Sequence, residues 1–207
     1  MDKQSFIICS YYTVDNSYAE VAHQYLMPSV SSLKLKSDIC GIQSLGSWAK
    51  NTSYKAQFIA TMLERHKENI VFVDCDAEIL QTPDLFEHIP DEFNFAAHVL
   101  DRNQFYGRLH DERIRYELLS GTLFIRNNGE SRKLVNEWNM ACQISNLWEQ
   151  KILDVVLKKN NVKVYELPIE YTWIRDLPDG RCSLVKPNGP IIIRHNQVSR
   201  QLKHKIL

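Results

Sequence analysis

Ile70-Val71-Phe72-Val73-Asp74-Cys75-Asp76 runs four apolar residues straight into two carboxylates. A short apolar run of this kind reads as a strand buried on both faces. Side chains two apart on a strand point the same way, so Asp74 and Asp76 share a face or splay together where the strand ends. Two carboxylates held that close repel each other unless a cation lies between them. Oxygen ligation with open positions suits Mg²⁺ or Mn²⁺, and such ions complete their shells with phosphate and water. The same residues also suit a plain surface turn after a strand, a place that Asp favours.

The chain before this run alternates strand and helix patterns. Ser5-Phe6-Ile7-Ile8-Cys9 reads as a first strand, followed by the loop Ser10-Tyr11-Tyr12-Thr13. Asp15, Asn16 or Ser17 is a candidate cap for a helix reaching about Leu33, with Ala19, Ala22, Tyr25 and Leu26 at helical spacing. Asp38-Ile39-Cys40-Gly41-Ile42 is a second strand. Thr52 or Ser53 is the expected cap of a second helix, whose inner stripe is Ala56, Ile59, Met62 and Leu63. Strand, helix, strand, helix, strand is the βαβ pattern of a parallel sheet. Ligands of such sheets bind beyond the carboxyl ends of the strands. Asp74, Asp76 and the loop of Ser10 to Thr13 all fall there.

After Asp76, Thr82 and Pro83 open a short helix, and residues 93–99 are a further apolar strand. Residues 101–117 are polar and aromatic with poor periodicity, which predicts a long loop of the kind that covers or lines binding sites. Leu118 to Arg126 resumes strand character, interrupted by Ser120-Gly121. One helix then buries Leu134, Val135, Trp138, Ala141 and Cys142, and another, starting near Trp148, buries Ile152, Leu153, Val156 and Leu157. Residues 162–167 and 170–174 read as strands, 179–180 as a turn, and Pro190-Ile191-Ile192-Ile193-Arg194-His195 as the last buried run before a basic tail. No repeat, low-complexity segment or linker divides residues 1–207, so one domain is expected.

Bulk composition excludes several classes of function. The chain has 207 residues, 44% of them hydrophobic, enough for a sizeable core. Lys+Arg and Asp+Glu both number 25, so no overall field draws in nucleic acid or anionic lipid. No apolar run approaches the roughly 18 residues of a membrane span, and the three apolar residues Phe6 to Ile8 are too few for a signal peptide. The five cysteines are widely spaced with no C-x-x-C, which predicts neither zinc nor a disulfide framework and fits a reduced, cytoplasmic protein.

The order of elements, together with the acidic pair, resembles the GT-A fold of nucleotide-diphospho-sugar glycosyltransferases. Ile70 to Asp76 looks like that fold's strand and D-x-D motif, and Ser120-Gly121-Thr122 looks like its acceptor-side "SG" strand. Trp148-Glu149-Gln150 before an apolar helix is similar to its late "D/E-Q" motif. His195 after an apolar strand, followed by Arg200 and Lys203, looks like its late metal-binding His and basic tail. The resemblance implies an α/β fold, a single GT-A-like (Rossmann-like) unit with a mixed, mostly parallel sheet flanked by helices. It also implies a hexosyltransferase that uses a nucleotide sugar, most plausibly UDP-linked, with Mn²⁺ or Mg²⁺. A length of 207 residues is small for that class, so acceptor-binding additions are expected to be minimal.

On that resemblance Asp76 is the direct metal ligand, Asp74 holds the ribose or the metal, and His195 completes the shell. Tyr11 and Tyr12 lie where the family holds the nucleotide base, and an aromatic face can stack there; core packing is the plainer use of one of them. Lys55, early in the second helix, faces either the ribose-phosphate side or water. Arg200 and Lys203 either reach the phosphates or form a solvated terminus. Glu149 falls on the inward stripe of its helix. An acidic residue in a first turn is favoured by the helix dipole alone, and it can also serve an acceptor hydroxyl as general base, with Gln150 the neutral alternative. Ser120-Gly121 either lets sugar or acceptor come close, because Gly has no side chain, or marks a strand bulge. The expected partners are a nucleotide sugar and a hydroxyl-bearing acceptor: a glycan, lipid-linked glycan, protein or small molecule. Two other readings stay open, a catalytically silent domain of the same fold and a phosphohydrolase with a D-x-D nucleophile. The second normally wants Thr or Val where Glu78 stands.

Overall fold

β1 (Phe6–Thr13) buries Phe6, Ile7, Ile8 and Cys9 in succession, so both of its faces are covered. Ile7 and Cys9 enter one apolar layer and Phe6 and Ile8 the other. That is why the run shows no polar alternation. A computed structural model describes residues 4–107, 115–174 and 184–198, and the elements around β1 follow in chain order. They are α1 (Tyr18–Gln24), α2 (Leu26–Ser32), β2 (Ser37–Ile42), α3 (Trp48–His66), β3 (Asn69–Val73) and β4 (Ala77–Ile79). A 3-10 turn at Asp84–Glu87 leads to β5 (Phe95–Ala97), β6 (Val99–Asp101), α4 (Arg102–Tyr106) and β7 (Tyr116–Leu118). The chain continues through β8 (Thr122–Ile125), α5 (Gly129–Ile144), α6 (Glu149–Lys159), β9 (Val164–Glu166), β10 (Trp173–Ile174) and β11 (Ile193–His195).

The main sheet has six strands in the order β2-β1-β3-β8-β5-β9. Its pairs are parallel except those that β8 makes with β3 and with β5. On one face α3, α5 and α6 bring Phe58, Ile59, Met62, Trp138, Ile152 and Leu153 against Ile7, Ile70 and Phe72. On the other, Leu26, Val30, Phe86 and Tyr171 close over Phe6, Val71 and Phe124. Each large apolar side chain taken from water in these layers contributes roughly 1.5–3 kcal/mol. Beside this face β4 and β11 pair antiparallel, with β10 parallel to β11, which brings His195 opposite Ala77.

Several local expectations are corrected. The helix expected to reach Leu33 is broken at Tyr25 into α1 and α2. Pro28, three residues into α2, has no N–H to give back to Gln24, so one continuous helix would lose a bond there. The cap of α3 is Ser47, whose side chain accepts from Lys50 N, and not Thr52 or Ser53. The Thr52 hydroxyl is spent inside the helix on the Ala49 carbonyl at 3.0 Å. Residues 101–117 are not one loop: β6, α4 and β7 occupy both ends, with β6 and β7 paired antiparallel. Residues 108–114 of that segment lie outside the described residues. Ile169–Tyr171 is a 3-10 turn where a strand was expected, closed by Tyr171 N on the Pro168 carbonyl. The turn expected at 179–180 also lies outside the described residues.

Candidate active site

Three strand ends meet where the parallel strands β1 and β3 finish, in the interior of the main sheet. β1 and β3 run parallel, so Tyr11, Tyr12 and Thr13 finish beside Asp74. β8 runs the other way, so its beginning lies there too: Val73 pairs with Thr122, and Asp74 N donates to the Gly121 carbonyl at 2.9 Å. Antiparallel pairing therefore brings Ser120-Gly121 to the acidic pair, although the two lie far apart in sequence. A cleft of about 340 Å³ opens here, lined among others by Tyr12, Tyr18, Trp48, Lys55, Asp74 and Glu149.

Lys55 is the centre of its floor. The residue is only 4% exposed, because Ala56, Ile59 and Met62 on the same helix press α3 onto the sheet. Its Nζ lies 3.0 Å from Asp74 Oδ1 and 3.1 Å from Glu149 Oε1. It also donates to the carbonyl and the hydroxyl of Ser120, both at 3.1 Å. Burial alone would lower the pKa of the ammonium, but the Asp74 and Glu149 charges outweigh it and hold Lys55 above its ordinary value. Lys55 is thus a fixed positive charge at neutral pH.

Glu149 opens α6 and is buried. Its Oε1 takes both the Lys55 ammonium and the Ser120 hydroxyl, the latter at 2.9 Å. Its backbone carbonyl accepts from the indole of the fully buried Trp138 at 2.9 Å, which ties the first turn of α6 to α5. Gln150 accepts from Ser120 N at 2.9 Å and donates to Glu117 Oε1 at 2.8 Å. The second Glu117 oxygen accepts from Arg102 at 2.9 Å.

Asp74, Asp76 and His195 each offer one ligand atom, and these atoms lie within 4.8 Å of one another. β3 stops at Val73, so the two acids sit in the turn that joins it to β4. Asp76 is clasped by the segment after β11: Val198 N donates to its Oδ2, and the Asn196 side chain to its carbonyl, both at 2.9 Å. Burial, with the neighbouring Asp74 charge second, pushes the Asp76 carboxyl up to about 7. Burial raises Asp74 as well, against the pull of Lys55, although 40% of its side chain is open to the cleft. Desolvation, helped by Lys55, drives His195 down to about 3, so the imidazole is neutral. Its Nε2 lies 2.8 Å from Thr122 Oγ1, and with Nε2 as the donor Nδ1 keeps its lone pair. A Cβ built on Gly121 would come within 3.2 Å of that Nδ1 and of Asp74 Oδ2. The donor set, two carboxylates and a neutral imidazole around a space kept free by glycine, fits a hard divalent cation such as Mn²⁺ or Mg²⁺.

The structure brings Tyr11, Tyr12, Lys55, Asp74, Asp76, Ser120, Glu149 and Gln150 to one cleft, with His195 behind the acidic pair and Gly121 beside it. Tyr11 is turned to the core: its ring packs on Tyr54, Phe58 and Phe72, and its hydroxyl donates to the Asn51 carbonyl at 2.7 Å. Tyr12 instead reaches the outer rim, edge-on to His23. Arg200 and Lys203 lie outside the described residues. Sequence reasoning missed Glu117, Tyr18, Trp48 and the Asn196–Val198 clasp, and it named Thr122 only as part of the Ser120-Gly121-Thr122 strand, without its bond to His195. Only the aromatic character of Tyr18 and Trp48, close to expected caps, offered a signal.

A family model described as nucleotide-diphospho-sugar transferase matches residues 36–205. No curated protein matches the sequence. Among solved structures, a glycosyltransferase involved in the glycosylation of the major capsid of PBCV-1 superposes with TM-score 0.66 at 9% identity, over 99% of this chain and 100% of its own. The apo structure of WbbM, a bifunctional glycosyltransferase, matches with TM-score 0.62 at 12% identity, over 95% of this chain and 46% of that one. Mouse xyloside xylosyltransferase 1, in its apo form, matches with TM-score 0.56 at 11% identity, over 94% and 98%. At these identities the likeness is one of fold.

Proposed function

The chain belongs to the nucleotide-diphospho-sugar transferase family, and we propose on that footing that it moves a hexosyl group from a UDP-sugar to an acceptor hydroxyl with the help of Mn²⁺ or Mg²⁺. The observation that carries the reading is the meeting of Asp74 and Asp76, which line the cleft with Lys55 and Glu149, with His195 directly beside them. Asp74, Asp76 and His195 would hold the cation, which when bound supplies positive charge to the leaving diphosphate.

The chain's own groups divide the remaining work. Tyr12, Tyr18 and Trp48 line the cleft together with Thr13, and their three rings would form an aromatic wall for the base and ribose. Lys55 and the Ser120 hydroxyl face the donor sugar. Glu149, paired with Lys55 through Oε1, leaves Oε2 without a protein partner among the described residues and would orient the sugar or take the acceptor's proton. Gln150 holds Ser120 in place. Arg200 and Lys203 remain candidates for the diphosphate. The four described cysteines are all free, which supports a reducing, cytoplasmic setting. Among the described residues no helix is long and apolar enough to cross a membrane.

The test is thermal stabilisation by UDP, GDP and CDP, each with and without Mn²⁺, on wild type and on Asp76→Asn. A ligand at about 100 times its Kd adds roughly 2.7 kcal/mol, an easily read shift. A shift that needs both UDP and Mn²⁺ and disappears in the variant is expected. No shift with any nucleotide would instead support a domain that has kept the fold without the chemistry.

A further inference from the structure

A second concavity adjoins the cleft and takes no part in the site described above. It has a volume of about 590 Å³ and lies between the first turns of α3 and the end of α5 with the connection to α6. Its walls continue those of the cleft. On α3, Asn51 and Thr52 line the cleft and Ser53, Tyr54 and Gln57 line the groove; after α5, Trp148 lines the cleft and Leu147 the groove.

The lining mixes apolar groups, Leu45, Ala49, Tyr54, Cys142 and Leu147, with amides and hydroxyls. Ser53, Gln57, Asn139, Gln143 and Asn146 all face the groove, and among the described residues none of these side chains hydrogen-bonds to protein. Among the described residues Lys50 is the only charged one in the lining. Uncharged amides and hydroxyls beside the apolar Leu45, Tyr54 and Leu147 suit a ligand that carries both hydroxyls and apolar ring faces, as a neutral sugar chain does. Trp148 stands where groove and cleft meet, and it is 54% exposed. It is the N-cap residue of α6, and Lys151 Nζ lies 5.2 Å from its ring centroid. An exposed indole on a fixed backbone is a platform for the apolar face of a pyranose ring, with hydroxyls reaching the polar rim.

The geometry points to a subsite for a neutral linear oligosaccharide: the acceptor is a glycan chain whose end enters the cleft, whose next ring stacks on Trp148, and whose further rings lie in the groove along Gln57, Asn139 and Gln143. This rests on the glycosyl-transfer reading and names its acceptor class.

The experiment is calorimetric binding of neutral mono-, di- and tetrasaccharides of β-1,4-glucan, α-1,4-glucan, chitin, β-1,4-xylan and α-mannan to the full chain. Sedimentation and alkyl glycosides of increasing tail length serve as controls. At least one tetrasaccharide is expected to bind about tenfold tighter than its disaccharide. Asn139→Ala/Gln143→Ala should erase that length preference, as should the exposed single change Gln57→Ala in part, and Trp148→Ala should weaken the disaccharide too. Three results would overturn the inference: no tetrasaccharide binds, the length preference survives the double change, or affinity follows alkyl length. Self-association abolished by the same changes would assign the groove to a second copy instead. UDP–Mn²⁺ stabilisation of the wild type is read separately, so loss of the donor reading and loss of the groove reading are distinguishable.

Discussion

Lys55 Nζ on α3 lies 3.1 Å from Glu149 Oε1 on α6, and both side chains are almost wholly buried. This contact joins two helices that leave the sheet at different places, and it sets the floor of the cleft. A buried charge is tolerable only while it is paired, and removing one partner commonly costs 3–5 kcal/mol, which is roughly the range.

Lys55→Met is therefore expected to lower stability by about 3 kcal/mol, the low end because part of Asp74 reaches solvent. Glu149→Gln is also destabilising. The double variant should lose less than the sum, with a coupling of about 1–3 kcal/mol. Urea unfolding of the four proteins measures it, and strict additivity would mean the ion pair is not formed in solution.

Trp138 ties α5 to α6 through its indole N–H on the Glu149 carbonyl at 2.9 Å. Trp138→Phe keeps most of the apolar volume but removes the second donor from that carbonyl, which still accepts from Leu153 N within α6, for a loss of about 0.5–1.5 kcal/mol. Because Glu149 is the next link to Lys55 and Ser120, activity should fall further than stability explains. Equal activity per folded molecule would separate the two roles.

Asp76 supplies a pH signature. Burial, then Asp74, raises its carboxyl from an ordinary 3.8 to about 7. Between those values the folded chain holds a proton that the unfolded chain has lost. The stabilising contribution of this group is complete below the unfolded value and is lost as pH rises through about 7. Without divalent cations, wild type should therefore lose stability relative to Asp76→Asn between about pH 5 and about pH 8. Urea midpoints in chelator measure the difference. Parallel profiles would show that the carboxyl is solvated.

The strand Ile70 to Val73 and the acidic pair are legible because a strand buried on both faces leaves a run without alternation, and Asp cannot continue it into the core. The same run says nothing about direction. That β8 lies antiparallel to β3, and so delivers Ser120 to Asp74, is set by long-range pairing. Lys55 illustrates the harder case. A lysine in a helix reads as solvated unless the carboxylates that meet it are known, and these come from residues 19 and 94 positions later, Asp74 and Glu149. Glu149 itself was legible, since the inward stripe of α6 placed it. Glu117 was not: residues 115–118 have no period that marks an inward carboxylate, and its role follows only from Gln150 and Arg102.

Gly121 is the residue whose lack of a side chain keeps the acidic pair and His195 together. An added Cβ would lie 2.9 Å from His195 Cε1 and 3.2 Å from Asp74 Oδ2. Neither neighbour is free to give way. The His195 ring is held at Nε2 by Thr122, and Asp74 by Lys55. The methyl of Gly121→Ala must therefore spread the two ligands, and it also fills part of the space a cation would use. Gly121 does not adopt a left-handed φ, so the change relieves or adds no such strain and acts through that space. The expected outcome is a loss of Mn²⁺-dependent UDP binding of about tenfold or more, with the melting temperature in chelator shifted far less. Isothermal calorimetry with and without Mn²⁺ measures the first and a thermal melt the second. Nucleotide affinity that stays metal-dependent and unchanged in Gly121→Ala would place the cation away from His195.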